Sequence, residues 1–129
     1  MYLTVLKSKI HRAVVTETNL DYVGSITIDE LLMEEAEIYP YEQVHVWNLT
    51  NGTRLITYAI PGEKGSGTIC LNGAGAHLNQ KGDKVIIASF TIISKEELKD
   101  FKPKIILLDS RNKVDQILFE KKIVLRRDL

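Results

Sequence analysis

The feature that most constrains this chain is that its apolar residues come in short alternating runs, none periodic or long enough to make a substantial helix. The stretch from Tyr2 to Val14 is rich in β-branched and aliphatic residues. Read with a period of two, it places Lys7, Lys9 and His11 on one face and Leu6, Ile10 and Val14 on the other. Residues 26–28, 44–49, 53–60, 68–71, 84–93 and 104–108 carry the same strand signal, and 114–125 alternates less cleanly. Turn chemistry separates these runs. Asn51-Gly52 tolerates positive φ at both positions and predicts a hairpin, while 61–67 and 72–76 read as loops of small residues. Helices are confined to short pieces: Asp29 caps one through Glu30 to Ala36 that Pro40 closes, and Ser94-Lys95-Glu96-Glu97 has capping-box spacing for another. So many short strands leave exposed edges, and closure into a small β-barrel removes them.

A length of 129 residues suits one domain, 1–129, with a single core. Hydrophobic residues at 44% and charged residues at 26% exclude a disordered or collagen-like chain. Seventeen basic and seventeen acidic residues cancel, so no global field draws the protein to nucleic acid or to an anionic membrane. Cys70 has no partner for a disulfide or a CxxC motif, which favours a reducing, cytoplasmic location. Lys7, Lys9 and His11 interrupt the apolar N-terminus, and the greasy stretch 85–93 is too short to span a bilayer. His11, His45 and His77 lack metal-ligand spacing, so no metal site is expected. The glycines of 62–68 do not form a phosphate-binding loop, because no Gly-Lys-Ser/Thr terminus feeds a helix there. The small residues of 72–76, in contrast, leave backbone N–H groups open to a ligand.

Gly24-Ser25 alone is an ordinary turn dipeptide, and Gly65-Ser66 is a second copy. The joint pattern of Lys9-Ile10-His11, Tyr22-Val23-Gly24-Ser25, Trp47-Asn48, Thr50-Asn51-Gly52, Arg54, Thr57-Tyr58-Ala59-Ile60 and Asn72-Gly73-Ala74 resembles the pyruvoyl-dependent aspartate decarboxylase family over roughly residues 1–118. The resemblance implies a mainly β fold, a small six-stranded double-psi β-barrel with short helices, assembled as a homotetramer with active sites at subunit contacts. It implies an inactive proenzyme that cuts itself between Gly24 and Ser25 into chains 1–24 and 25–129. For that cut the Ser25 hydroxyl must attack the preceding carbonyl, which needs a strained peptide that glycine adopts most easily. Elimination and hydrolysis then leave a covalently bound pyruvoyl group derived from Ser25, with no metal.

Such a ketone forms a Schiff base with an amino acid and accepts the electron pair released when carbon dioxide leaves. The implied reaction takes L-aspartate to β-alanine for pantothenate synthesis. Two substrate carboxylates need local cations, and Arg54 and Lys9 are the natural pair, with the carboxylate each one binds left open. By the same resemblance Tyr58 donates the proton to the decarboxylated carbon, and Thr57 holds first the cleaving peptide and then the substrate. Gly73, Ala74 and Gly75 would cradle the substrate by backbone groups beside Asn72, with His11 and Trp47 in support. Thr57 and Tyr58 are adjacent and so face opposite sides of a strand. Gly75 stands where the family often has alanine, residues 120–129 have no clear counterpart, and an accessory maturation partner exists for some members. Two other readings stay open: a non-catalytic barrel with Gly24-Ser25 intact, and the same chemistry on glutamate, which one methylene separates by about 1–3 kcal/mol.

Overall fold

The computed structural model describes residues 1–119. The protein is mainly β. Its strands are β1 (Tyr2–Val14), β2 (Glu17–Asn19), β3 (Ile26–Asp29), β4 (Gln43–Asn48), β5 (Arg54–Gly62), β6 (Ile69–Asn72), β7 (Lys84–Ser94), β8 (Lys104–Leu108) and β9 (Val114–Phe119). One α-helix, α1 (Glu30–Ala36), and 3-10 segments at Gly73–Leu78 and Glu96–Asp100 complete it. The strands pair in the order β2-β6-β3-β5-β4-β7-β1-β8-β9. That is nine strands where the resemblance implies six. Pairing is parallel at β1–β8, β3–β5 and β2–β6 and antiparallel elsewhere.

Both halves of this order feed one core. Ile26, Ile28, Ile69 and Leu71 from β3 and β6 share a cluster with Ile10, Val85, Ile87 and Ile106 from β1, β7 and β8, so the sheet rolls around a common interior. Leu32, Met33 and Ala36 of α1 close onto it. Each of these larger side chains contributes about 1.5–3 kcal/mol by leaving water. β4 keeps the expected alternation, with Val44 and Val46 inward and His45 and Trp47 less buried.

β1 does not keep the simple period of two. Its register against β7 slips between Leu6 and Ser8 and again between Ile10 and Ala13, where Arg12 takes a φ of 65°. Leu6 opposite Phe90 and Lys9 opposite Ala88 therefore share a face, and Ile10 and Ala13 both point into the core. The expected row of Lys7, Lys9 and His11 is broken at the first slip. The Lys7 ammonium instead donates to Glu42 Oε2 at 2.8 Å and to the Glu37 carbonyl at 2.7 Å. Two turns also differ from expectation. In the β4–β5 hairpin only Gly52 has positive φ, because the Asn51 side chain accepts the Thr53 N–H and Asn48 Oδ1 accepts from Thr50 and Asn51. α1 stops ahead of Pro40, at Glu37, whose left-handed φ of 56° lets Ile38 N–H bond the Met33 carbonyl. The capping box forms as expected, with Ser94 and Glu97 each accepting the other's backbone N–H.

Asp29 ties three segments together. Its buried carboxylate accepts from Leu31 N–H at 2.9 Å, Gly65 N–H at 2.8 Å and Gly67 N–H at 2.8 Å, so one side chain caps α1 and folds the glycine loop. Asp29→Ala leaves those donors without an acceptor. We expect a loss of about 3 kcal/mol in chemical denaturation, with Asp29→Asn losing less.

Acid acts most through the partly buried Glu42 and His11, because the other two carboxyls held low, Glu97 and Asp109, are fully exposed and screened by water. Burial pushes the Glu42 carboxyl up, but hydrogen bonds from Lys7, Ser89 and the Tyr39 N–H outweigh it and hold the group below the ordinary carboxylate range. Burial, reinforced by Lys9 and Arg12, holds His11 below its ordinary 6.5. Both groups bind fewer protons folded than unfolded, so the stability they contribute is full above pH 6.5 and falls first as unfolded-state His11 protonates. It falls again below 4.5 as Glu42 titrates. Denaturation midpoints across this range should show two descending limbs, and Glu42→Gln should flatten the lower one.

Candidate active site

Between β2 and β3 the chain runs exposed through Tyr22 and Val23 and then dives inward, leaving Ser25 only 3% exposed. Gly24 and Ser25 have φ of 84° and 82°. For serine that region is sparsely populated and costs about 1–3 kcal/mol, so surrounding contacts must impose it. They come from the end of β6. Asn72 N–H donates to the Ser25 carbonyl at 3.0 Å, and its Nδ2 donates to Ser25 Oγ and Thr27 Oγ1, each at 3.0 Å. The Cys70 thiol donates to Asn72 Oδ1 at 3.2 Å. Gly73, at φ of 61°, lies so close that a Cβ there would come within 2.6 Å of Gly24 N and 2.8 Å of the Tyr22 carbonyl oxygen.

A cleft of about 220 Å³ opens beside this junction, lined by Gly24, Ser25, Leu55, Thr57, Asn72, Ala74 and Gly75 among others. Thr57 and Tyr58 do occupy opposite faces of β5, yet both approach the same segment. Thr57 lines the cleft, while the Tyr58 hydroxyl donates to the Val23 carbonyl at 3.3 Å. Gly75 needs no glycine conformation, and a Cβ there would lie 3.4 Å from Leu55, so alanine nearly fits. Of residues 72–76, expected as a loop, Asn72 ends β6 and the rest begin the 3-10 segment.

The remaining predicted residues lie elsewhere in the chain. Arg54 and Trp47 are opposite one another on β5 and β4, and the guanidinium stacks 5.2 Å from the indole centre. His45 and Phe90 pack edge-on beside the indole. Lys9 belongs to the register row Lys9, Ala88, His45, Ile56, three strand spacings from β5, or roughly 14 Å measured along the sheet. His11 sits opposite Leu107, its Nδ1 buried without a hydrogen-bond partner among the described residues. Within one chain, then, Ser25, Thr57, Asn72, Gly73, Ala74 and Gly75 gather with Tyr58 alongside, whereas Lys9 and His11 do not join them. Sequence reasoning missed Thr27 and Cys70. Cys70 is two residues from Asn72 and so on its strand face, which was readable; Thr27 opposite Cys70 follows only from register. Among the described residues no group of acidic, histidine or cysteine side chains could hold a metal ion, and no helix is long and apolar enough to cross a membrane.

Comparison with known proteins bears on this geometry. A family model described as aspartate decarboxylase matches residues 1–115. The chain is 60% identical over 88% of its length to the aspartate 1-decarboxylase of Caldicellulosiruptor bescii, of which it covers 89%. It is 57% identical to that of Acetivibrio thermocellus, covering 95% of this chain and 97% of the relative. The Bacillus subtilis aspartate 1-decarboxylase is 53% identical over 92% of this chain and 93% of its own.

The closest approach at the junction is the easiest to test. Gly73→Ala forces a Cβ into the 22–24 segment at positive φ, so we expect destabilisation of about 2 kcal/mol or more, read by thermal melting. Gly75→Ala, where space exists, should change the midpoint little.

Proposed function

The chain belongs to the aspartate decarboxylase family, and on that premise we propose that it cuts its own backbone between Gly24 and Ser25 and then converts L-aspartate to β-alanine and carbon dioxide, supplying pantothenate synthesis. The observation that carries the cleavage site is the pair of positive φ angles flanking the Gly24–Ser25 bond, with the serine hydroxyl buried and hydrogen-bonded to Asn72. The other Gly-Ser pair shares only the glycine's positive φ, 82° at Gly65: Ser66 has no positive φ, both residues are exposed, and the Ser66 hydroxyl donates to the Glu63 carbonyl within a turn.

Cleavage moves the Gly24 acyl group from nitrogen to oxygen. The Ser25 Oγ–carbonyl bond forms, the peptide C–N bond breaks, and the hydroxyl proton ends on the freed nitrogen. Loss of the Ser25 α-proton expels the Gly24 carboxylate, and water then releases the nitrogen as ammonia, leaving a ketone at position 25. The residues around Ser25 fit that group: the cleft is small, it is lined by uncharged side chains, and the Asn72 backbone N–H holds the position-25 carbonyl, which survives cleavage. The pyruvoyl group supplies an electrophilic carbonyl and a sink for the electron pair left by carbon dioxide.

The chain's own residues do the rest. Arg54 and Lys9 bind the substrate carboxylates. Tyr58 donates a proton from a hydroxyl already at the edge of the 23–25 segment. Thr57, Asn72 and the backbone of Gly73, Ala74 and Gly75 position the substrate, with His11 and Trp47 supporting the cationic side. Because Lys9 and Ser25 lie apart in one chain, a homotetramer with active sites at subunit contacts belongs to the proposal. Ile56, at 60% exposed, and Tyr41, at 77%, are apolar surface consistent with such contacts. So does the six-stranded double-psi barrel as the closed form of the rolled sheet, supported by the parallel pairs β1–β8 and β3–β5 within an otherwise mainly antiparallel order. A cytoplasmic site of action fits the single unpaired thiol of Cys70.

Intact mass of the denatured protein tests the whole scheme. We expect a piece ending at Gly24 and a piece, 25–129, that begins with a pyruvoyl group; one uncut chain overturns it. Ser25→Ala should stay full length. Tyr58→Phe should still be cut yet lose about a hundredfold or more in turnover, the usual contribution of a positioned proton donor; normal turnover removes Tyr58 from that role.

A further inference from the structure

An asparagine between hydroxyls has no preferred orientation, because a hydroxyl both donates and accepts. Asn72 faces that ambiguity on its Nδ2 side, where Ser25 Oγ and Thr27 Oγ1 both lie at 3.0 Å. Its Oδ1 has one side-chain partner, the Cys70 thiol at 3.2 Å. Cys70 is 6% exposed and opposes Thr27 across the β3–β6 ladder, so its sulfur cannot turn to water.

We propose that Cys70 is a positioning residue for self-cleavage: its S–H donates to Asn72 Oδ1 and thereby turns the amide NH₂ toward Ser25 Oγ. The proposal rests on the cleavage reading given above. The orientation matters because the reacting oxygen gains negative character as it attacks the Gly24 carbonyl. An N–H aimed at it stabilises that charge, whereas a carbonyl oxygen aimed at it would hold the hydroxyl proton and repel the developing charge. Burial, with a smaller contribution from Glu17, pushes the Cys70 thiol up, which keeps its proton in place for donation. Cys70 itself touches no reacting atom; it acts through Asn72.

Serine and valine separate this role from packing. Cys70→Ser keeps a donor, while Cys70→Val keeps comparable bulk in a strand-favouring residue and removes the donor, with Cys70→Ala as a second donor-free variant should valine not fold. The measurement is the rate at which full-length chain splits into 1–24 and 25–129, followed by intact mass on protein captured soon after synthesis, with melting midpoints to confirm folding. We expect serine to match or exceed the wild-type rate and the donor-free variants to cleave about five- to tenfold more slowly, the scale of one hydrogen bond's orienting preference. Equal rates for serine, valine and wild type overturn the role of Cys70 and leave self-cleavage standing. A wild-type chain that never splits overturns the cleavage reading and this proposal with it.

Discussion

Everything at the site depends on one close approach, that of Gly73 to the backbone of Tyr22 and Gly24. A chain that ran past β6 at ordinary distance would let Ser25 relax to negative φ and turn its hydroxyl to solvent. The missing side chain at Gly73 lets the two segments touch, and the Asn72 hydrogen bonds then fix both ends of the serine. The strain is thus not stored in Ser25 alone. It is held by the β3–β6 ladder, whose core-facing residues Ile26, Ile69 and Leu71 are fully buried, so hydrophobic packing on one side of the sheet maintains an unfavourable backbone on the other.

Much of this was legible in the residues. The bounds of β1 and β8, the cap at Asp29, the Ser94–Glu97 box and the strand at 26–28, which β3 extends by one residue, follow from alternation and capping chemistry, which are local. What was not legible is what depends on a partner strand. The slips in β1 are imposed by pairing with β7, and they move Lys7 out of the row that a strict period of two predicts. Asn51 looked like half of a turn with two positive φ angles, but its side chain found Thr53 and Leu78 instead. Short segments such as β2, three residues long, carry too little pattern to be seen at all.

The site shows the same division. Gly24, Ser25, Thr57, Asn72, Ala74 and Gly75 were named from the sequence and line one cleft, with Gly73 packed behind it on Gly24. Arg54 with Trp47, and Lys9 with His11, were named in the same way yet lie on other parts of the sheet. A resemblance preserves which residues matter without recording which of them come from one chain. The two Gly-Ser dipeptides sharpen the point: identical in sequence, one is a solvated turn anchored on Asp29 and the other is clamped at the end of β6.

The position of β1 in the sheet has a further consequence for a chain severed after Gly24. β1 is paired along its length with β7 and again with β8, and β2 lies against β6. The small fragment would therefore keep β1 as an interior plank of the sheet, although β2 is an edge strand, and could not depart without opening the core. The nicked protein would persist as a non-covalent complex whose reassembly after unfolding requires two molecules to meet, so its recovery would depend on concentration where that of the uncut chain does not. Cutting would make the folded state something each molecule reaches easily once, while still one chain, and regains only with difficulty.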